Sequence, residues 1–187
     1  MKIRLKKFKT IKSTNDIAIK LIRKNYSGPT LITCDRQTRG RGRIGKKWIS
    51  EKGNLFITIF FKLDKLKINF KQFAILNAIL LKYLISKKIK KNVKIKWPND
   101  ILFKKYKFCG ILQELIKSGK FYYLIVGIGI NTNKAPQNKG FKSTCLKNIV
   151  NKKISNHKIL KNILTAYGKF LNETKKMSFT ELKKKYR

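Results

Sequence analysis

Residues 101–103, 108–116 and 121–130 are three apolar, β-branched and aromatic runs separated only by short turns. Lys104-Lys105-Tyr106-Lys107 joins the first two, and Ser118-Gly119 joins the last two. Such runs between turn residues read as strands, and a Ser-Gly pair between two of them is a hairpin signal. A strand series of this kind needs helices to cover it. They are legible on both sides of it. Ser13-Thr14-Asn15-Asp16 precedes Ile17, Ala18, Leu21 and Ile22, an amphipathic helix with Ser13 or Thr14 at the N-cap and Asp16 in the first turn. Residues 70–85 have helical spacing and should pack on the sheet. Residues 159–171 read as a helix, and 179–186 start another. Residues 3–8, 30–35, 55–61 and 93–97 add strands, the last ended by Pro98. Residues 133–141, with Pro136 and Gly140, read as a loop. The sum is an α+β (mixed α/β) chain with a central mixed sheet flanked by helices. Its 187 residues are enough to bury a core as a single domain, residues 1–187, without disulfides or metals.

The segment after the strand at 30–35 carries Gly40-Arg41-Gly42-Arg43-Ile44-Gly45-Lys46-Lys47-Trp48. Glycine lets backbone approach a ligand closely and adopt φ > 0. The cations can then reach a phosphate or carboxylate from several sides. Such a loop can close over an anionic small molecule or serve as an RG-type nucleic-acid segment, and alone it does not decide. The net charge invites the second reading: 47 Lys+Arg stand against 8 Asp+Glu, formally +39. The excess is mostly lysine, however, and is spread over the whole length with abundant Ile and Asn. An AT-rich coding bias produces the same pattern. Either way the surface favours acidic partners and salt-dependent association. The scarcity of acids makes each one inside a motif a better functional candidate.

Five motifs follow one another along the chain. They are Ser13-Thr14-Asn15, Gln37-Thr38-Arg39-Gly40-Arg41-Gly42-Arg43-Ile44-Gly45, Lys96-Trp97-Pro98-Asn99-Asp100, Lys107-Phe108-Cys109-Gly110-Ile111-Leu112-Gln113-Glu114 and Gly127-Ile128-Gly129-Ile130-Asn131. In this order and spacing, from residue 11 to 146, they resemble the catalytic domain of biotin protein ligases. The resemblance implies a class II aminoacyl-tRNA synthetase or biotin ligase-like fold. It also implies two chemical steps. Biotin's carboxylate attacks the α-phosphate of ATP to give biotinyl-5′-adenylate and pyrophosphate. The ε-amine of a carrier-protein lysine then displaces AMP.

That chemistry sets demands on particular residues. Carboxylate and triphosphate repel, so fixed cations and Mg²⁺ are required. Arg41, Arg43, Lys46 and Lys107 are the supply, with Arg43 and Lys107 expected to clamp the carboxylate and α-phosphate. Read without the resemblance, Lys107 is a turn lysine. For biotin, the resemblance points to Ser13, Thr14, Asn15, Gln37, Arg41, Gly42, Arg43 and Lys107, with Gly110 and Gly129 letting strand backbone approach the ring and tail. Ser13 and Thr14 can cap the helix as well. For the nucleotide it points to Arg43, Lys46, Asn99, Lys107 and Asn131. Asp100, with Arg43 and Lys107, completes the catalytic set. It either orients Mg²⁺ (held through the phosphates) or the lysine nucleophile, or it forms a structural ion pair with a lysine. Trp97 is expected to pack, and Trp48 to join either the core or the folding loop. The Gly/Arg loop should order over bound ligand, and residues 133–146 should form a second ordering loop over adenine. Cys145 stands where the family usually has serine. Cys109 stands where a small residue is common. It could line the pocket and react with alkylating agents, or be buried and inert.

ATP, Mg²⁺ and biotin are therefore the expected ligands. The expected partner is a biotin carboxyl carrier protein of acetyl-CoA carboxylase or a similar enzyme. Edge-strand homodimers occur in the family. Cys34, Cys109 and Cys145 are far apart, no CxxC occurs, and His157 is the single histidine, so neither a zinc site nor haem is expected. Three reduced thiols suit the cytoplasm. No signal peptide is visible, and the most apolar stretch, 73–85, contains Asn77 and Lys82 and is too short for a bilayer. Neither an N-terminal winged-helix domain nor a C-terminal SH3-like barrel is expected, so no specific DNA binding is expected either. The rival readings are a lipoate or octanoate ligase or transferase of the same fold, a ligase fold that binds biotin without transferring it, and a basic nucleic-acid-binding protein.

Overall fold

The computed structural model describes residues 2–26, 28–63, 66–137 and 142–187. Strand β1 (Arg4–Ile11), helix α1 (Thr14–Arg23) and strand β2 (Thr30–Gln37) form a parallel unit, with Arg4 opposite Thr30 and Ile11 opposite Gln37. Strand β3 (Leu55–Lys62) returns antiparallel to β2. After α2 (Phe70–Ile89) come β4 (Lys94–Lys96), β5 (Asp100–Phe103), β6 (Tyr106–Ser118) and β7 (Phe121–Ile130), an antiparallel run. Its last strand pairs with β3 and closes a seven-stranded mixed sheet in the order β1-β2-β3-β7-β6-β5-β4. Helices α3 (Leu146–Val150), α4 (Asn156–Glu173) and α5 (Phe179–Tyr186) complete the α+β architecture.

Burial explains the sequence pattern. β3 lies inside the sheet between β2 and β7 and is buried from Leu55 to Phe61, so it reads as a continuous apolar run rather than an alternation. On one face, α2, α4 and α5 cover the sheet, with Phe73, Leu80, Tyr167, Phe170 and Leu182 at their centre. α2 lies between the sheet and the other helices and is apolar nearly all round. Its start is fixed by a reciprocal cap between Asn69 and Gln72. On the other face, α1 packs Ala18 and Ile22 against Ile32, Phe60 and Ile125. Next to the N-terminus of α1, the strands carry Gly127, Gly129 and Gly110 in place of side chains.

Several boundaries differ from the sequence reading. β1 continues to Ile11 and α2 to Ile89. The turn at 104–107 contracts, because Lys104 takes φ +53 and Tyr106 and Lys107 already belong to β6. Lys107 is thus a strand residue. The short helix α3 was not expected. The loop at 133–141 is seen as irregular chain up to Gln137, and its remainder, with Gly140, lies outside the described residues.

Candidate active site

Gly110 on β6 sits directly opposite Gly129 on β7, and Gly127 lies one pleat further along. Together they make a floor without side chains. A Cβ on Gly127 would meet the Asn15 amide, and one on Gly110 would lie 2.6 Å from Trp48 Cζ3. The Trp48 indole thus lies flat across Gly110 and Gly129, which assigns it to the folding loop. Above the floor is a cavity of about 590 Å³. It is lined by every residue the resemblance singled out: Ser13, Thr14, Asn15, Gln37, Arg41, Gly42, Arg43, Lys46, Asn99, Asp100, Lys107, Gly110, Gly129 and Asn131.

One end of this space is polar and neutral. Gln37 Oε1 accepts from Thr14 N at 2.8 Å and Thr14 Oγ1 at 3.0 Å, and Gln37 Nε2 donates to Ser50 Oγ at 3.1 Å. The Thr58 hydroxyl bridges Thr14 Oγ1 (2.8 Å) and Asn15 Oδ1 (2.5 Å). Asn15 Nδ2 donates to Glu114 Oε2 at 2.6 Å. Ser13 is the N-cap residue of α1 but makes no side-chain cap bond. It is buried and faces the cavity, so capping is not what its hydroxyl does here.

The other end is cationic. Lys107 Nζ lies 2.7 Å from Asp100 Oδ1 on the neighbouring strand and 5.3 Å from the centre of the Trp48 ring. Asp100 is therefore in an ion pair in this state. Arg43 Nη1 donates to Asn99 Oδ1 at 3.1 Å, and Asn99 Nδ2 donates to Ile111 O at 3.1 Å. Asn131 Nδ2 donates to Thr144 O at 3.2 Å, while its Oδ1 is buried without a partner among the described residues. Chain from the second loop reaches this end, since Lys107 N donates to Lys142 O and Thr144 N donates to Lys107 O. Among the described residues no group of three or more His, Cys, Asp or Glu side chains could hold a metal ion. Asp100 can supply one oxygen to a cation held mainly by other ligands. It cannot supply a cage.

Arg41 behaves differently from the other cations. Its guanidinium forks onto Glu114, at 2.8 and 2.9 Å, and its Nε lies 3.0 Å from Asp16 Oδ1. Glu114, Asp16 and Thr58 bond to residues of the cavity wall, and the sequence reading, which placed Asp16 in the first turn of α1, gave none of them a part in the site. The scarcity of acids was the available signal for two of them. Cys109 is a correction to the pocket-lining expectation. It is fully buried on the opposite face of β6, and burial pushes its thiol well above the ordinary range. It is inert, not an alkylation target.

The loop itself is folded down. Trp48 N donates to Gly40 O at 2.9 Å, Gly42 N donates to Lys46 O at 2.6 Å, and Arg41 bridges to Lys47. A Cβ on Gly40 would lie 2.5 Å from Trp48 O, so only glycine fits there. The tip turns through Ile44 at φ +52 and Gly45 at φ +68.

The glycine-floored cavity, with its neutral polar end, its cationic end and its Gly/Arg roof on a mixed sheet, is built almost wholly from the stretch that matches one family of acid-to-protein ligases. The chain belongs to the biotin/lipoate A/B protein ligase family, which it matches over residues 7–131. It is 30% identical over 179 residues to the bifunctional ligase/repressor BirA of Bacillus subtilis (strain 168), covering 92% of this chain and 55% of that protein. It is 33% identical over 127 residues to the biotin–[acetyl-CoA-carboxylase] ligase of Paracoccus denitrificans, covering 66% of this chain and 52% of that one. The biotin protein ligase from Aquifex aeolicus in complex with biotin and ATP superposes with a TM-score of 0.82 at 30% identity, covering 98% of this chain and 76% of that structure. The chain thus spans little more than half the length of these two curated relatives.

Proposed function

We propose that this chain is a biotin protein ligase, with residues 1–187 acting as the catalytic unit. The observation that carries the reading is the cavity, which gathers all the expected residues and sorts them into two chemically distinct ends. The neutral end, built from Ser13, Thr14, Asn15 and Gln37, suits the ureido group of biotin. The glycine floor and the Trp48 indole suit its fused ring and tail. The cationic end receives the carboxylate and the triphosphate. In the first step a carboxylate oxygen attacks the α-phosphorus, the bond to the β-phosphate oxygen breaks, and pyrophosphate leaves. Lys107 and Arg43 lie at this end of the cavity and neutralise charge that builds on the phosphoryl oxygens. Asp100 holds Lys107 in place until the phosphates arrive. Asn99 positions Arg43, and Asn131 has a buried oxygen available to the nucleotide.

Mg²⁺ fits this site as an ion brought by the nucleotide, with Asp100 as a single oxygen ligand; when bound it supplies charge neutralisation. In the second step a lysine amine attacks the acyl carbon, loses a proton, and AMP departs. The closed loop keeps water from the mixed anhydride meanwhile. The partner we propose is a biotin carboxyl carrier domain, of acetyl-CoA carboxylase or a similar enzyme, met in the cytoplasm. Among the described residues no helix is long and apolar enough to cross a membrane. The test is ATP–pyrophosphate exchange with Mg²⁺, run with biotin, lipoate and octanoate. Exchange with biotin alone is the expected result. Exchange with lipoate or octanoate instead would move the chain to the other branch of its family, and none with any acid would refute the reading.

A further inference from the structure

Arg41 is expected at the biotin end, yet its guanidinium already forks onto Glu114 through two hydrogen bonds and stands in ion-pair contact with Asp16, 3.0 Å from Nε. These acids come from the middle of β6 and the first turn of α1, neither of which belongs to the Gly/Arg loop. A planar fork on a carboxylate is the strongest of the polar contacts available to such a loop. The closed loop needs holding. Its tip places Ile44, a β-branched residue, at φ +52, a region such side chains rarely occupy. Ile44 is 89% exposed, so little packing offsets that strain. The bonds from Gly42 to Lys46 and from Trp48 to Gly40 tie the loop to itself. Among the described residues, it is tied to the sheet by Arg41, the exposed bond from Arg43 to Asn99, the indole on its glycine floor and the Lys107 ammonium 5.3 Å from the centre of that indole.

Glu114 is also shared. Its Oε2 accepts from Arg41 Nη2 at 2.9 Å and from Asn15 Nδ2 at 2.6 Å, and Asn15 reaches the Thr58 hydroxyl at the polar end. A ligand that draws on Asn15 changes what Glu114 can give Arg41. We infer that Glu114 and Asp16 form the catch of the Gly/Arg loop. They are positioning residues that hold the loop down through Arg41, and Glu114 couples that hold to occupancy of the polar end through Asn15. The coupling rests on the proposed function; the catch does not.

The test is hydrogen exchange at residues 40–48 in the full chain, with acrylamide quenching of Trp48 in a Trp97→Phe background. Glu114→Gln keeps the shape and an acceptor for Asn15 but loses the charge. Without ligand it should exchange at 40–48 about tenfold faster, the loss of one charge-assisted fork, and Trp48 should quench more readily. Amides of β3 serve as the control for folding, and Asp16→Asn gives a second route if Glu114→Gln proves unstable. The double variant Glu114→Gln/Arg41→Gln should open no further than Arg41→Gln alone. Unchanged exchange in both acid variants, or additive opening in the double variant, overturns the catch. Added biotin should slow exchange at 40–48 in the unmodified chain and much less in Glu114→Gln. Equal slowing in both removes the coupling. No effect on the unmodified chain removes the coupling and the proposed substrate together, leaving the catch to the ligand-free rates.

Discussion

Gly129→Ala isolates the use of space at the floor. The backbone at Gly129 is not in the left-handed region, so alanine adds volume without backbone strain. The new Cβ would meet Trp48 Cε2 first and would lie 2.6 Å from both Trp48 Cζ2 and Trp48 Nε1. Ordinary contact begins near 3.5 Å, so the indole must lift by about 1 Å. A displacement of this size in a positioning group costs about 100-fold in rate. Stability should move little. Alanine in a strand gains roughly 0.5–1 kcal/mol over glycine, which offsets part of the roughly 1–3 kcal/mol of overpacking. The indole also sits on a loop that can rise. The expected result is a 100-fold fall in kcat/KM for biotin-dependent pyrophosphate exchange, with Tm within about 4 °C of the unmodified chain. Repeating the change in a Trp48→Ala background tests the cause. If the indole is what the methyl meets, the added loss there should shrink to less than about tenfold. A full-rate Gly129→Ala enzyme would refute the reasoning, and so would the same large loss with Trp48 gone.

Three further outcomes are expected. Lys107→Ala should lower pyrophosphate exchange roughly 1000-fold while costing about 1–3 kcal/mol in urea unfolding, because it leaves the buried Asp100 Oδ1 without its cation; undiminished turnover would remove Lys107 from the mechanism. Tyr167→Phe deletes a buried hydroxyl that donates to Asn77 Oδ1 at 3.0 Å, and the orphaned acceptor should cost about 1–3 kcal/mol, read as a lowered urea midpoint. Glu173 is pushed up by burial, but hydrogen bonds from Lys185 and Tyr186 outweigh this and hold its carboxyl below the usual range. A depressed carboxyl contributes stability that is present above its unfolded pKa, about 4.3, and is lost as pH falls through the folded value. Glu173→Gln should therefore lower Tm at about pH 6, with the difference closing below about pH 4; a difference that stays constant into acid would contradict the assignment.

Element types were legible where burial dominated. β3, buried on both faces, and α2, wrapped by other helices, carry patterns that solvent exposure cannot blur. Boundaries were lost where backbone pairing continues through basic residues. Thr10 still pairs with Arg36 in β1, and Lys107 is held in β6 by chain from 142–144. In a chain this rich in lysine, polarity no longer marks loops. α3 left no signal because tertiary contacts fix its start: Leu146 N donates to Asn131 O and Lys147 N to Thr132 O.

The site divides along the same line. Residues whose own chemistry suits a ligand were readable, because cations, amides and glycines announce what they can touch. Glu114 and Asp16 act through another residue, and the Glu114–Arg41 contact spans 73 residues of sequence. Pairing at that distance has no local pattern. One global signal was present. The chain has 8 acids against 47 basic residues, so most lysines and arginines have no acid to pair with. Yet Asp16 and Glu114 both hold Arg41, and Asp100 holds Lys107, all around one cavity. A general lysine bias explains a basic surface. It does not explain acids gathered where cations must be aimed, because an acid placed only to balance surface charge gains little from any one exposed partner. Half-buried, geometrically fixed pairs are what a site needs when it must aim Lys107 at an anion and release it on arrival, and when it must hold a loop in place through Arg41.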